Sequence, residues 1–297
     1  MINELTNHKY FEYFSLNQEI NGIVVISHGM AEHIGRYHWL IKKLNQDGYH
    51  VLANDHRGHG INITNGMTPG FFSFTNGWNK VGNDLVKTIN IANNINGNLN
   101  CYLLAHSMGS WIALSLLDKE LKIDGLILTG SSKLPKLSIY LQLLIVKLEI
   151  LFNGYKARSK LIDNMTLRKF NSLFKPNKTP NDWISSDPES VNNYTDDPLC
   201  GFIVTNSLWN DLCNGFLQIF NKNFYHNINS NIPILIMSGR DDAANNGGKL
   251  ATKLYEFLSS IFKNISIEII DNARHEIFTE SNKNISYDKF LSFIKNT

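Results

Sequence analysis

The stretch Cys101-Tyr102-Leu103-Leu104-Ala105-His106-Ser107-Met108-Gly109-Ser110-Trp111-Ile112-Ala113-Leu114 decides the architecture. Cys101 to Ala105 is a short apolar run, as in a strand buried on both faces. From Met108 onward the pattern turns helical, and a helix is expected over Met108 to Leu121. Ser107 therefore stands at a sharp strand-to-helix turn. Small residues are needed two places before and two after such a serine because the backbones crowd there. Gly109 meets that need, and Ala105 meets it with one methyl more than the commoner glycine. A turn of this shape lifts the hydroxyl clear of the sheet. The same residues also describe an ordinary strand-helix junction with a serine cap, so any chemistry has to be argued from partners elsewhere.

Working outward, the alternation repeats. Tyr10 to Leu16 reads as an early strand, and Gly22-Ile23-Val24-Val25-Ile26-Ser27 is a β-branched run typical of a buried one. Further strands are expected at His50 to Asn54, Leu126 to Thr129, Ile234 to Met237 and Ile265 to Ile270. Helices are expected over Arg36 to Gln46, stopped by Gly48, and near Gly77 to Ile95, Gly248 to Phe262 and Asn284 to Ile294. Apolar strands alternating with helices imply an α/β fold, a mostly parallel central sheet covered on both faces. Ligand sites in such sheets gather at the carboxyl ends of the strands. Between about Ser131 and Phe220 the alternation gives way to helical, aromatic and Pro-containing stretches. This divides the chain into a core of residues 1–130 and 221–297 and an inserted, mainly helical cap of residues 131–220.

The composition agrees with one core plus an excursion. Of 297 residues, 43% are hydrophobic and 18% charged, enough apolar material for a core. Basic residues number 28 against 26 acidic ones and form no dense run, which argues against a nucleic-acid partner. Cys101, Cys200 and Cys213 show no paired spacing for a disulfide framework or a zinc site. No apolar stretch follows a basic start near the N-terminus, so cytoplasmic residence is expected.

A serine hydroxyl is a poor nucleophile until a base takes its proton. After an elbow of this kind the partners follow in the order acid, then histidine. His275 follows the last strand within Asn272-Ala273-Arg274-His275-Glu276, and Asp242 follows another in Ser238-Gly239-Arg240-Asp241-Asp242. Alone, either residue reads as a loop histidine or a turn aspartate. Together, Ser107, Asp242 and His275 stand at three strand ends in the required order. An attacked carbonyl also needs backbone donors for its oxyanion. The amide of Met108, at a helix N-terminus, supplies one. The second is assigned to Met30 in the loop His28-Gly29-Met30-Ala31-Glu32-His33, where Gly29 lets the backbone approach closely.

These segments, with Asn54-Asp55-His56-Arg57-Gly58-His59-Gly60 and the Arg274-His275-Glu276 ending, resemble the monoacylglycerol lipase and lysophospholipase group of α/β-hydrolases over nearly the whole chain. Asp197-Pro198-Leu199-Cys200-Gly201-Phe202 resembles bacterial members of that group. The resemblance implies an α/β-hydrolase fold and a serine hydrolase that cleaves carboxylic esters through an acyl-enzyme. Its substrates would be monoacylglycerols, lysophospholipids or similar single-chain esters. It also places the orienting acid three residues after Gly239, at Asp242 rather than Asp241. The stretch before the Ile23 strand is shorter than such proteins usually have, which raises the loss of an edge strand as an expectation.

The pair His56 and His59 gives no helical ligand face and no third ligand of a zinc pattern, so no metal and no cofactor is expected. His56, Arg57 and His59 read as structural, and His106 as a packed elbow residue. Leu137 to Val146 is apolar around much of a helix, and burial on the core is slightly favoured over a lid that receives an acyl chain or docks transiently on a lipid surface. An aminopeptidase, a thioesterase or a silent binding protein on the same fold is the alternative. A haloalkane dehalogenase or epoxide hydrolase is disfavoured, because those related enzymes carry an aspartate where Ser107 stands.

Overall fold

The computed structural model describes residues 2–5, 8–95, 98–119, 121–226 and 228–297. Strands β1 (Ile2–Leu5), β2 (His8–Tyr13), β3 (Gly22–Ser27), β4 (Tyr49–Ala53), β5 (Cys101–His106), β6 (Gly125–Thr129), β7 (Ile234–Gly239) and β8 (Ile265–Ile270) form one sheet. Their order is β1-β2-β4-β3-β5-β6-β7-β8, with β2 antiparallel to both its neighbours, β1 and β4, and the remaining pairs parallel. The expected early strand is present, shifted to His8–Tyr13, and β1 pairs with it, so the N-terminal edge of the sheet is occupied after all.

The β-branched and leucine-rich strands β3, β5, β6 and β7 are buried throughout, because helices cover both faces. Successive side chains point to opposite faces. Ile23, Val25, Leu103 and Ala105 enter one apolar cluster, while Val24, Ile26, Tyr102 and Leu104 enter the other. Helix α1 (His38–Gln46) closes the second face with Leu40, Ile41 and Leu44. The helix expected from Arg36 thus begins two residues later, after a 3-10 turn over Ile34–Tyr37. The short α2 (Ile61–Thr64) follows β4. Helix α3 (Gly77–Ile95) meets the first face through Val81, Leu85, Ile89 and Ala92, a spacing of three and four that lines up one side.

Helix α4 (Met108–Leu114) is shorter than the helix expected to Leu121. Ser115 bonds its hydroxyl to the Ile112 carbonyl at 2.7 Å, and Leu116 and Leu117 donate only three residues back, so the chain tightens into turns. Residue 120 of the expected helix lies outside the described residues.

From β6 to β7 the chain makes α5 (Lys136–Asn153), α6 (Lys160–Met165), α7 (Leu167–Asn171), α8 (Pro188–Asp196) and α9 (Asn206–Ile219). Leu208, Leu212 and Phe216 of α9 join the apolar cluster over α3 and α4. Helix α5 buries only Ile139, Leu143 and Val146, and Leu137, Leu141, Leu144, Leu148, Leu151 and Phe152 remain exposed. The burial slightly favoured for this helix is therefore confined to one narrow stripe. Helices α10 (Lys249–Ser259) and α11 (Lys283–Lys295) complete the two faces. Among the described residues no helix is long and apolar enough to cross a membrane.

Candidate active site

Strands β3 and β5 are hydrogen-bonded neighbours with Ser27 opposite Ala105, so the loop after one lies against the turn after the other. Ser107 sits at φ 50° and ψ −120°, a backbone conformation that costs about 1–3 kcal/mol and persists only where the surroundings enforce it. Enforcement is visible at Gly109, where an added Cβ would stand 2.3 Å from the Ser27 carbonyl oxygen. Ala105 is fully buried and its methyl is accommodated within the sheet. At Gly29 a Cβ would come within 3.3 Å of the Ser107 Cβ and 2.6 Å of a Glu32 oxygen, so only glycine allows this approach.

Ser107 Oγ lies 3.0 Å from Nε2 of His275, and Nδ1 of His275 lies 2.9 Å from Oδ2 of Asp242. The Asp242 carboxylate is inaccessible to solvent. Its oxygens also accept from the backbone of Ala244 at 2.8 Å and from the Asn245 side chain at 2.7 Å. Asp241 is exposed. Burial works against protonation of His275, but the facing Asp242 charge and its hydrogen bond outweigh it and raise the imidazole above its ordinary pKa of 6.5; Glu276 and Glu32 add to the rise.

The amides of Met30 and Met108 have no acceptor among the described residues, in a region where buried N–H groups are normally paired. Both residues flank Ser107, Met108 as the first residue of α4 and Met30 as a wall of the cavity that Ser107 and His275 also line. This cavity of about 200 Å³ is otherwise walled by large apolar side chains, among them Trp111, Phe170, Trp183, Leu212 and Phe216. Sequence reading missed these walls. Their signal was the aromatic content of the stretch between β6 and β7, but which aromatics face the serine depends on how α7 and α9 fold back.

A second feature went unread. Arg36 pairs with Glu276 and approaches Glu32 at 3.8 Å, all three buried. Burial, helped by repulsion from Glu276 and opposed by Arg36, raises the Glu32 carboxyl above its usual range. His106 donates or accepts at 3.0 Å with Thr129, and burial drives its pKa well down. His28, His56 and His59 pack ring against ring, and burial pushes both His28 and His59 down to about 3. Among the described residues the atoms that converge as a metal site would require are those of His33, Asp197 and Cys200, not the His56 and His59 pair.

The family profile described as "Serine aminopeptidase, S33" matches residues 18–282. The chain belongs to this family of α/β-hydrolases. Among relatives, it is 31% identical over 105 residues to a monoacylglycerol lipase of Mycolicibacterium smegmatis, a match to 35% of each chain. It is 26% identical over 192 residues to the monoglyceride lipase of Rattus norvegicus, spanning 63% of this chain and 58% of that one. A monoglyceride lipase homolog of Monkeypox virus is 24% identical over 288 residues, 95% of this chain and 92% of the relative. The chain thus spans less than two thirds of the length of the first two relatives. Among solved structures, a thermostable carboxyl esterase from Bacillus coagulans in complex with glycerol superposes with a TM-score of 0.86 at 24% identity, covering 99% and 96% of the two chains. A monoglyceride lipase from Saccharomyces cerevisiae gives 0.76 at 19% identity, covering 100% and 94%. At these identities the likeness is one of fold.

Proposed function

We propose that the protein is a serine hydrolase that cleaves carboxylic esters of single-chain lipids, monoacylglycerols or lysophospholipids, through an acyl-enzyme. The observation that carries this reading is the relay from Asp242 through His275 to Ser107, with two unpaired amides beside it, at the floor of an apolar cavity. His275 Nε2 takes the Ser107 proton as Oγ bonds to the ester carbonyl carbon. The oxyanion is held by the N–H groups of Met30 and Met108. Collapse breaks the bond to the alcohol, which leaves with the proton from His275, and water then repeats the sequence on the acyl-enzyme. The imidazolium formed in each half is stabilised by Asp242.

The names of the relatives favour monoacylglycerol, and the cavity walls favour an acyl chain over a charged group. An aminopeptidase has to bind a substrate ammonium. Among the described residues lining the cavity there is no carboxylate to pair with one. The exposed leucines of α5, beside the exposed Lys136, Lys147, Lys156 and Arg158, suit transient docking on an anionic lipid surface from which such substrates are drawn.

The test is a panel of p-nitrophenyl esters and monoacylglycerols of graded chain length, run with a fluorophosphonate probe. Ser107→Ala should abolish both turnover and labelling while circular dichroism stays native. Labelling that survives this substitution would remove Ser107 from its role, and turnover of aminoacyl amides in preference to esters would move the protein to the peptidase reading.

A further inference from the structure

The loop that carries Met30 is gripped from two sides. From the core, the buried Glu32 carboxylate accepts the N–H of Gly29 and the hydroxyl of Tyr37, the latter at 3.0 Å. From the inserted helical segment, the carbonyl of Ala31 accepts two hydrogen bonds, one from the Gly201 N–H at 2.9 Å and one from the Tyr194 hydroxyl at 3.0 Å. Ala31 stands at φ 55°, a left-handed conformation that a non-glycine residue adopts at a cost and that its neighbours must hold. Tyr194 is itself fixed, buried with its ring 4.7 Å from the guanidinium carbon of Arg36. A further strap lies at His33. Its Nδ1 accepts the Gly35 N–H at 3.2 Å, so its hydrogen is on Nε2, which donates to Asp197 Oδ2 at 2.9 Å. Asp197 in turn accepts the Leu199 N–H at 2.8 Å and so orders the turn that delivers Gly201.

Met30 lies between the two anchored residues, and its N–H is the group left unpaired. The Met30 N–H shares its peptide plane with the Gly29 carbonyl, which accepts a hydrogen bond from His28 Nδ1 at 2.8 Å, and the bonds to the Gly29 N–H and the Ala31 carbonyl hold the chain before and after that plane. An oxyanion donor is effective only when its direction is set before the charge develops. We infer that the inserted segment is part of the catalytic machinery, with Tyr194 and Asp197 as positioning residues that aim the Met30 N–H by holding the Ala31 carbonyl and His33. This rests on the hydrolase reading above. It makes the oxyanion site a composite of core and insertion, so that a shift of the insertion switches the donor out of line.

The substitution Tyr194→Phe removes the bond to Ala31 and keeps the ring over Arg36. Turnover of a soluble p-nitrophenyl ester should fall about tenfold with KM held within about twofold, and affinity for a trifluoromethyl ketone, whose adduct places an oxyanion at the site, should fall by the same factor. Asp197→Ala should behave alike, whereas Asp197→Asn keeps an acceptor for His33 and should recover most of the loss. Equal falls in kcat and ketone affinity, with rescue by asparagine, support the inference. Wild-type kcat in a folded Tyr194→Phe enzyme, or a loss confined to Tm and KM, overturns it. If the wild-type enzyme itself is not labelled at Ser107 by a fluorophosphonate, the hydrolase reading fails and the inference falls with it; a labelled wild type beside an unimpaired Tyr194→Phe overturns the inference alone.

Discussion

Asp242 holds Nδ1 of His275 at 2.9 Å from a position without solvent access, while Asp241, its neighbour in the chain, is exposed. Two carboxylates one residue apart therefore have separate fates, and the difference is measurable. Asp242→Asn preserves shape but presents an N–H where an acceptor is needed, a change that costs about 10⁴ in turnover in serine proteases. A loss of that order is expected here. Asp241→Asn should cost tenfold or less, which needs only about 1.4 kcal/mol in the barrier. Rates compared after circular dichroism confirms folding decide the matter, and a crippled Asp241→Asn beside a normal Asp242→Asn would move the triad by one residue.

The pH profile follows from the environment of His275. The base must be neutral to accept the serine proton, so kcat/KM rises with pH through its titration. Because Asp242 and the nearby Glu276 and Glu32 raise this group, the inflection should lie above 6.5. Glu276→Gln removes one of the raising charges and should move the inflection to lower pH. An unmoved inflection in that variant would show that the buried Glu276 charge does not reach the base.

Asp211 on α9 offers a stability test away from the site. It abuts Gly77 at the start of α3, one carboxylate oxygen is buried without a partner, and burial, opposed by the Trp78 amide, pushes its pKa up to about 7. In the unfolded chain this carboxyl titrates near about 3.9, so between those values the folded state binds more protons and its stability falls as pH rises. Asp211→Asn removes the cost. Its Tm advantage over wild type should be absent at pH 4 and grow to a plateau above pH 7, each kcal/mol of relief giving roughly 2–4 °C. A pH-independent difference would place the effect elsewhere.

The exposed face of α5 predicts lipid association. Wild-type protein should cosediment with vesicles of phosphatidylcholine and phosphatidylserine at low salt and less so at high salt, as screening weakens the lysine contribution. Replacing Leu144 and Leu148, which are 55% and 45% exposed, by glutamate should abolish cosedimentation while hydrolysis of a soluble ester persists. Equal binding by the double variant would assign the attachment to another surface.

Seven of the eight strands described, the elbow, and the chain order of Ser107, Asp242 and His275 were legible in the sequence, because each is written in local terms, whereas β1 was not foreseen and β2 begins at His8 rather than Tyr10. A buried strand shows as a run such as Ile23 to Ile26, and a strained serine shows through the small residues its turn requires, Ala105 and Gly109. Ser107 was legible because it stands directly after such a run, and His275 because it lies in the loop that follows the last one. What the sequence left to a resemblance was the choice between Asp241 and Asp242, since the direction of adjacent side chains in a turn depends on what packs against it, here His275 from another strand end. It took the folded chain to show that Glu276 joins Arg36 and Glu32 from 240 residues away in one buried cluster, that α5 hides one stripe and exposes the rest, and that the carbonyl of Ala31 is held by Tyr194 and Gly201. These are contacts between segments distant in the chain, and no local pattern of spacing or polarity encodes which distant surface will meet a given side chain once the sheet has brought the loops together.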